Sequence, residues 1–246
     1  MTLSRTACIA SLLALGLMPV QAGWQLDLES GAVISGYNDV RSPGDGGTML
    51  SLSKELSTDA DEYIRARLTY SFRLRHSLSV LAAPLSLRAE GSVPKEVVFE
   101  DATFGPDTPL EATYRFDSYR LTYRYDIHRR PNLTIGLGLT GKVRDAEVRI
   151  ESEDAGDAKK NTGFVPLLHG AIEWWVADRT SLMVVADALA APQGRAEDVL
   201  VALRYEPMPA VALRVGYRVL EGGADNDEVL TFALLHYLGL GLAISF

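Results

Sequence analysis

The stretch Tyr63-Ile-Arg-Ala-Arg-Leu-Thr-Tyr-Ser-Phe-Arg-Leu-Arg75 carries its apolar residues at every second position. Ile64, Ala66, Leu68, Tyr70, Phe72 and Leu74 alternate with Tyr63, Arg65, Arg67, Thr69, Ser71 and Arg73. A helix would scatter those arginines around its circumference, whereas a strand puts them on one face and the apolar set on the other. The stretch therefore predicts a strand with one apolar face and one face rich in arginine.

The same period recurs along the chain. Trp24, Leu26, Leu28, Ala32 and Ile34 oppose Gln25, Asp27, Glu29 and Ser35; Tyr119, Leu121, Tyr123, Tyr125 and Ile127 oppose Ser118, Arg120, Thr122, Arg124 and Asp126. Leu133, Ile135, Leu137 and Leu139 oppose Thr134, Gly136, Gly138 and Thr140, with Lys142 and Arg144 extending the polar parity, and Val211 to Val219 alternates with Arg214, Gly216 and Arg218. Strands of about 10 to 15 residues are long for a sandwich but fit a tilted strand crossing a bilayer. Turn-forming residues at 128–132, 177–180 and 206–209 make short connections, and the acidic stretches 36–47, 92–111, 151–162, 191–197 and 221–228 make longer ones. One apolar face, one cationic face and two classes of connection describe an all-β chain forming a single antiparallel transmembrane β-barrel.

Val229 to Phe246 has no formal charge and is long enough for a membrane helix. Its large residues Leu238, Leu240, Leu242, Ile244 and Phe246 keep the period of two, however, and Gly239 and Gly241 weaken a helix, so this is again a strand. Counting back from Phe246 gives nine strands: 228–246, 210–220, 197–206, 180–190, 163–176, 132–150, 112–127, 77–91 and 63–75. Adding 24–35, 48–56 and 96–104 makes twelve and leaves both termini on the periplasmic side. Without 96–104 one N-terminal piece lies outside the wall and the count is ten.

Composition alone hides this architecture. The 246 residues are 47% hydrophobic and 23% charged with a mean hydropathy of +0.05, values shared by soluble domains, because a barrel averages a lipid face with a polar interior. A net charge of −8 and a pI near 5.1 argue against sequence-independent nucleic-acid binding. Arg5, the apolar run Ala7 to Val20 and the small-x-small Val20-Gln21-Ala22 read as a cleaved secretory signal peptide over 1–22, which leaves 23–246 as one domain. The only cysteine, Cys8, falls within that leader, so the exported chain has no thiol chemistry, and neither a metal nor another cofactor is implied.

Several stretches together carry a resemblance: Pro43-Gly-Asp-Gly-Gly-Thr48, Phe116-Asp-Ser-Tyr-Arg-Leu-Thr-Tyr-Arg-Tyr125, Lys142-Val-Arg-Asp-Ala146, Val165-Pro-Leu-Leu-His169, Ala190-Ala-Pro-Gln-Gly-Arg195 and Leu220-Glu-Gly-Gly-Ala-Asp225. They resemble a group of uncharacterised Gram-negative outer-membrane β-barrel proteins over most of the exported chain. The resemblance implies the fold and residence in the bacterial outer membrane, and it carries over no catalytic residue. The closing aromatic Phe246 resembles the signal read by the barrel-assembly machinery, which becomes an expected partner together with outer-membrane lipids and lipopolysaccharide.

With the polar parity inward, the lumen is expected to hold Arg65, Arg67, Arg73, Arg88, Arg120, Arg124, Lys142, Arg144, Arg204, Arg214 and Arg218 against Glu55, Glu90, Glu173 and Asp187. Such a cation excess between low-dielectric walls describes a porin-like, narrow conduit favouring small anions, with Arg65, Arg67, Arg120, Arg124, Lys142, Arg144, Arg214 and Arg218 in contact with the solute. The same residues also fit a closed structural barrel whose arginines pair with carboxylates. A lipid-modifying enzyme of the lipid A deacylase, acyltransferase or phospholipase type is the alternative function, with His169, His236 and Glu173 as candidate catalytic residues. His169 and Glu173 share a strand face about 13 Å apart, too far for a direct pair without a bulge. His236 falls on the apolar parity among leucines.

Overall fold

The computed structural model describes residues 23–192 and 194–246, so the leader expected over 1–22 lies outside the described residues. The elements in chain order are β1 (Gly23–Arg41), β2 (Leu50–Ser51), β3 (Ser57–Thr58), β4 (Asp61–Phe72), β5 (His76–Ala83), β6 (Ser86–Gly91), β7 (Val97–Phe99), β8 (Ala102–Phe104), β9 (Leu110–Arg130), β10 (Leu133–Glu151), β11 (Gly156–Ala177), β12 (Thr180–Ala191), β13 (Gly194–Met208), β14 (Val211–Asp225) and β15 (Leu230–Ser245). β5 and β6 act as one wall strand interrupted at Pro84, because both pair with β9.

The wall is an antiparallel ring in chain order. It closes where β1 pairs β15 from Gln25↔Ser245 to Arg41↔Leu230, while β9 pairs β10 on the opposite side. The two ends of the wall meet: Trp24 N donates to Phe246 O at 2.8 Å and Phe246 N to Trp24 O at 2.9 Å. The tight turns at 73–75, 131–132, 178–179 and 209–210 share this terminal end. The long connections 42–60 and 92–109 lie at the other end.

Among the described residues the wall contains ten strands, so the expectation of twelve is corrected to the alternative of ten. A wall strand must present one apolar face to lipid over about ten residues. The 96–104 segment cannot do so, because its chain reverses at Glu100, whose φ is +50°, and Val97, Phe99 and Phe104 are all buried together. β7 and β8 therefore form a separate two-stranded hairpin, and the 48–56 region contributes only β2, paired to Asp39 and Val40 of β1.

A second correction concerns strand length. The acidic stretches 151–162, 191–197 and 221–228 are largely strand: β10 and β11 stay paired up to Glu151↔Gly156, and β12 and β13 up to Ala191↔Gly194. The reason is an inversion of the side-chain pattern. On β9 the outward residues are Tyr119, Leu121, Tyr123, Tyr125 and Ile127 near the termini, but Glu111, Thr113, Arg115 and Asp117 farther out. The inward set changes in the opposite sense, from Asp126, Arg124, Thr122, Arg120 and Ser118 to Phe116, Tyr114, Ala112 and Leu110. β10 repeats the pattern, with Leu137, Leu139 and Val143 outward before Asp145, Glu147, Arg149 and Glu151, and Val148 and Ile150 buried inside.

One barrel thus has two solvents. The terminal part turns its apolar face outward, as a lipid-facing wall does, and the far part encloses an apolar core. Val33, Leu85, Leu87, Leu110, Tyr114, Ile150 and Leu235 line that core from the wall, and Leu50, Leu52, Leu56, Val93, Val97, Phe99 and Phe104 fill it from the two long connections. Each fully buried Leu, Val or Phe contributes roughly 1.5–3 kcal/mol relative to exposure, so the connections are held as a plug.

Candidate functional site

Beneath the plug, inward positions of the lipid-facing zone bring charged side chains together across the lumen. Arg214 on β14 reaches β1, with Nη1 to Asp27 Oδ2 at 2.7 Å and Nη2 to Glu29 Oε2 at 2.8 Å. Arg218 Nη2 donates to the same Glu29 oxygen at 2.9 Å, and Arg218 also bonds Asp198 of β13. Asp198 further accepts from Arg65 Nη2 at 3.0 Å and lies 2.6 Å from Arg120 Nη2. Arg120 Nη1 continues the chain to Asp187 Oδ2 at 2.9 Å. Asp187 Oδ1 then meets His169 Nδ1 and the Thr140 hydroxyl, each at 2.8 Å. The Tyr63 hydroxyl donates to Glu29 Oε1 at 3.1 Å. Charges alternate along this layer and nearly all of its members are buried, so each arginine is desolvated only where carboxylates replace its water.

Glycines make room for these side chains. A Cβ on Gly239 would fall 1.9 Å from the Tyr63 hydroxyl, and one on Gly241 would fall within 3.0 Å of the Arg214 guanidinium.

Between this layer and the terminal end lies a cavity of about 440 Å³, with Gly23, Trp24 and Ser245 at its rim. Its lining holds eight arginines against five carboxylates. Several cations are paired: Arg204 Nη1 to Glu173 Oε1 at 2.9 Å, Arg204 Nη2 to Glu206 Oε1 at 2.6 Å, and Arg124 Nε to Asp126 Oδ1 at 3.1 Å. Arg67 lines the same cavity and makes no ion pair or side-chain hydrogen bond among the described residues. The hydroxyls of Thr69 and Ser79, 3.0 Å apart, lie on the same wall.

Arg65, Arg67, Arg120, Arg124, Lys142, Arg144, Arg214 and Arg218 all point inward, at different heights. Arg65, Arg67, Arg124, Arg214 and Arg218 line the cavity. Arg120 and Lys142 are buried, the latter with Nζ 4.7 Å over the Phe116 ring, and Arg144 bonds Asn161 farther out. Glu55 and Glu90, expected inside, are elsewhere: Glu55 holds Lys95 at 2.5 Å between the two plug connections, and Glu90 is exposed. Arg73 lies in a turn and Arg88 faces outward. Asp198, near the start of the strand expected over 197–206, was not counted among the lumen carboxylates, although its parity with Leu200, Ala202 and Arg204 places it there.

The candidate catalytic residues stand apart. Glu173 accepts from Ser181 and Arg204, whereas His169 pairs with Asp187, its directly opposed partner on β12. His236 faces outward and bonds the Tyr217 hydroxyl at 2.6 Å, with its ring across Gly36. Among the described residues neither imidazole bonds a serine or threonine hydroxyl.

The fold is shared with solved structures. The outer membrane protease OmpT from Escherichia coli is 10% identical, with 94% of this chain and 99% of that chain covered at a TM-score of 0.59. The translocator domain of the autotransporter NalP from Neisseria meningitidis is also 10% identical, covering 98% of this chain and 94% of that chain at 0.41. Ail, the attachment invasion locus protein of Yersinia pestis, is 11% identical, covering 89% of this chain and 98% of that chain at 0.39. The likeness to OmpT, an outer-membrane β-barrel, agrees with the resemblance read from the sequence. At such identities the likeness is one of fold alone. No protein-family model matches the chain, and no curated protein matches it.

Proposed function

We propose that the chain is an integral outer-membrane β-barrel, closed toward the cell surface, whose terminal-end vestibule binds small anions from the periplasm. The observation that carries this reading is Arg67, a guanidinium without an ion-pair partner among the described residues, in the wall of a cavity that already holds more arginines than carboxylates. Such a group keeps its hydrogen-bond donors for a solute, and a partly desolvated cavity strengthens its attraction for a carboxylate or phosphate. The band of outward Tyr, Leu, Ile and Val supports membrane residence. The apolar plug favours a binding vestibule over an open conduit, because an ion crossing it would lose its hydration.

Isothermal titration of the folded, detergent-solubilised chain with inorganic phosphate tests the reading. Saturable binding is expected, and Arg67→Met is expected to weaken it by roughly tenfold or more, the worth of one charge-assisted hydrogen-bonding group. Absence of saturable binding, or identical binding by Arg67→Met, overturns it.

A further inference from the structure

The wall has a window. β4 pairs β5 only from Ala66↔Ala82 to Phe72↔His76, and the next connection across this seam is β3 to β6 at Ser57↔Glu90 and Thr58↔Ala89. Between those two rungs, residues 59–65 and 83–88 face one another without a ladder. The opening is one-sided, because Ala83↔Ser118 and Ser86↔Arg115 keep the other edge on β9, and Phe116 N donates to Leu85 O at 2.8 Å. Local chemistry fits an unpaired edge: Pro84 has no N–H to offer, Leu85 N donates to Asp117 Oδ1 at 3.2 Å, and the Ser30 hydroxyl donates to Tyr63 O at 2.8 Å.

On the outer side the window forms a cleft of about 480 Å³, lined by Ile64, Pro84 and Leu85 with Tyr63 and the polar Ser30, Glu62, Ser86, Arg115 and Asp117 around them. A smaller void on the inner side shares Tyr63, Pro84 and Leu85 and is backed by Phe116 and Tyr237. The cleft is continuous with the lipid-facing band and straddles its far border. Ile64 and Ala82 are the last apolar outward residues below it, and Glu62, Ser86 and Arg88 are polar and outward above it.

We infer that this window receives the hydrocarbon chain of a bilayer amphiphile, held between Ile64, Pro84 and Leu85 with its polar end at Ser30, Glu62 and Ser86. The inference rests on the membrane-embedded reading given above. At this depth the surrounding solvent is acyl chain on one side and headgroup on the other, and the cleft presents the same two chemistries in the same order. Its volume is that of an ordinary small-ligand site.

Cysteine labelling of the full chain in phosphatidylethanolamine–phosphatidylglycerol vesicles tests the window. Leu85→Cys, in a Cys8→Ser background, is treated with a maleimide on a long alkyl chain and separately with a sulfonated, water-soluble maleimide. Leu121→Cys on the outer wall and Leu87→Cys in the plug core serve as references. The alkyl reagent is expected to label Leu85→Cys within roughly tenfold of Leu121→Cys and at least tenfold faster than Leu87→Cys, since labelling of a buried site requires local opening. Pro84→Cys, which lines the same cleft, gives the same comparison if Leu85→Cys does not fold. Alkyl labelling no faster than at Leu87→Cys, or labelling only by the sulfonated reagent, overturns the window. Failure to label Leu121→Cys overturns the membrane reading itself.

Discussion

At the scale of single residues, the interior is governed by the cost of an unpaired charge. Asp198 serves Arg65, Arg120 and Arg218 together. Asp198→Asn keeps the volume but takes the shared carboxylate from three guanidiniums and leaves Arg65 with no ion-pair partner among the described residues, so a loss of about 3–5 kcal/mol in folding stability is expected, the usual result of breaking a buried pair from one side. Urea titration of the vesicle-inserted chain measures it, and a change below roughly 1 kcal/mol would place the network among dispensable ion pairs. Gly239 tests packing instead of charge. Its replacement by Ala puts a methyl group into the Tyr63 hydroxyl, for a cost of about 1–3 kcal/mol. Because the clash is with that hydroxyl alone among nearby side chains, Gly239→Ala is expected to cost less in a Tyr63→Phe background, and additive losses in the double-mutant cycle would refute the assignment.

At the scale of elements, the sequence showed the strands of the lipid zone because there each face has one solvent along its whole length. Tyr119 to Ile127 and Leu133 to Leu139 are legible for that reason. Beyond Asp117 and Val143 the faces exchange roles, so Glu111, Glu151 and Asp157 read as loop although they are paired strand. The plug was illegible for a related reason: Val97, Phe99 and Phe104 are apolar without alternation because they are buried on all sides. Asp198 was passed over because it adjoins the acidic connection ending at Glu197, although its own parity is inward. The two plug connections are tied by Glu55, which bonds Lys95 and accepts from Ser51 N at 2.8 Å. Burial alone would raise the Glu55 pKa, yet the hydrogen bonds from Lys95 and Ser51 hold it below the usual glutamate value. A folded-state pKa that is depressed contributes stability above the unfolded value and loses it as pH falls through the folded one. Acidification below the ordinary glutamate range is therefore expected to raise hydrogen exchange in 50–58, and Glu55→Gln is expected to show that faster exchange already at neutral pH. Exchange in Glu55→Gln that matches the unaltered chain at pH 7 would show that the tie does not restrain the connection.

At the scale of the whole molecule, two closures lie in series along the barrel axis. The first is the salt-bridged layer of Glu29, Arg65, Arg120, Asp198 and Arg218, with Tyr63 and Tyr237 packed edge to face beside it. The second is the apolar plug, whose Val97, Phe99 and Phe104 are almost fully buried. They block ions by different physics: the layer fills the lumen with side chains that already satisfy one another, and the plug removes hydration without offering a substitute. The unaltered chain in a planar bilayer is therefore expected to show no discrete conductance. Replacing 97–104 by a short glycine linker, or Asp198 and Arg218 together by Ala, is expected to leave it silent, since either change opens one closure only. The combined variant is expected to conduct and to favour anions, because the cavity below retains its excess of arginines, and Arg67→Met in that background is expected to reduce the anion preference read from the reversal potential. Steady conductance by the unaltered chain would refute both closures, and conductance by either single variant would show that the closure it removed is the only seal.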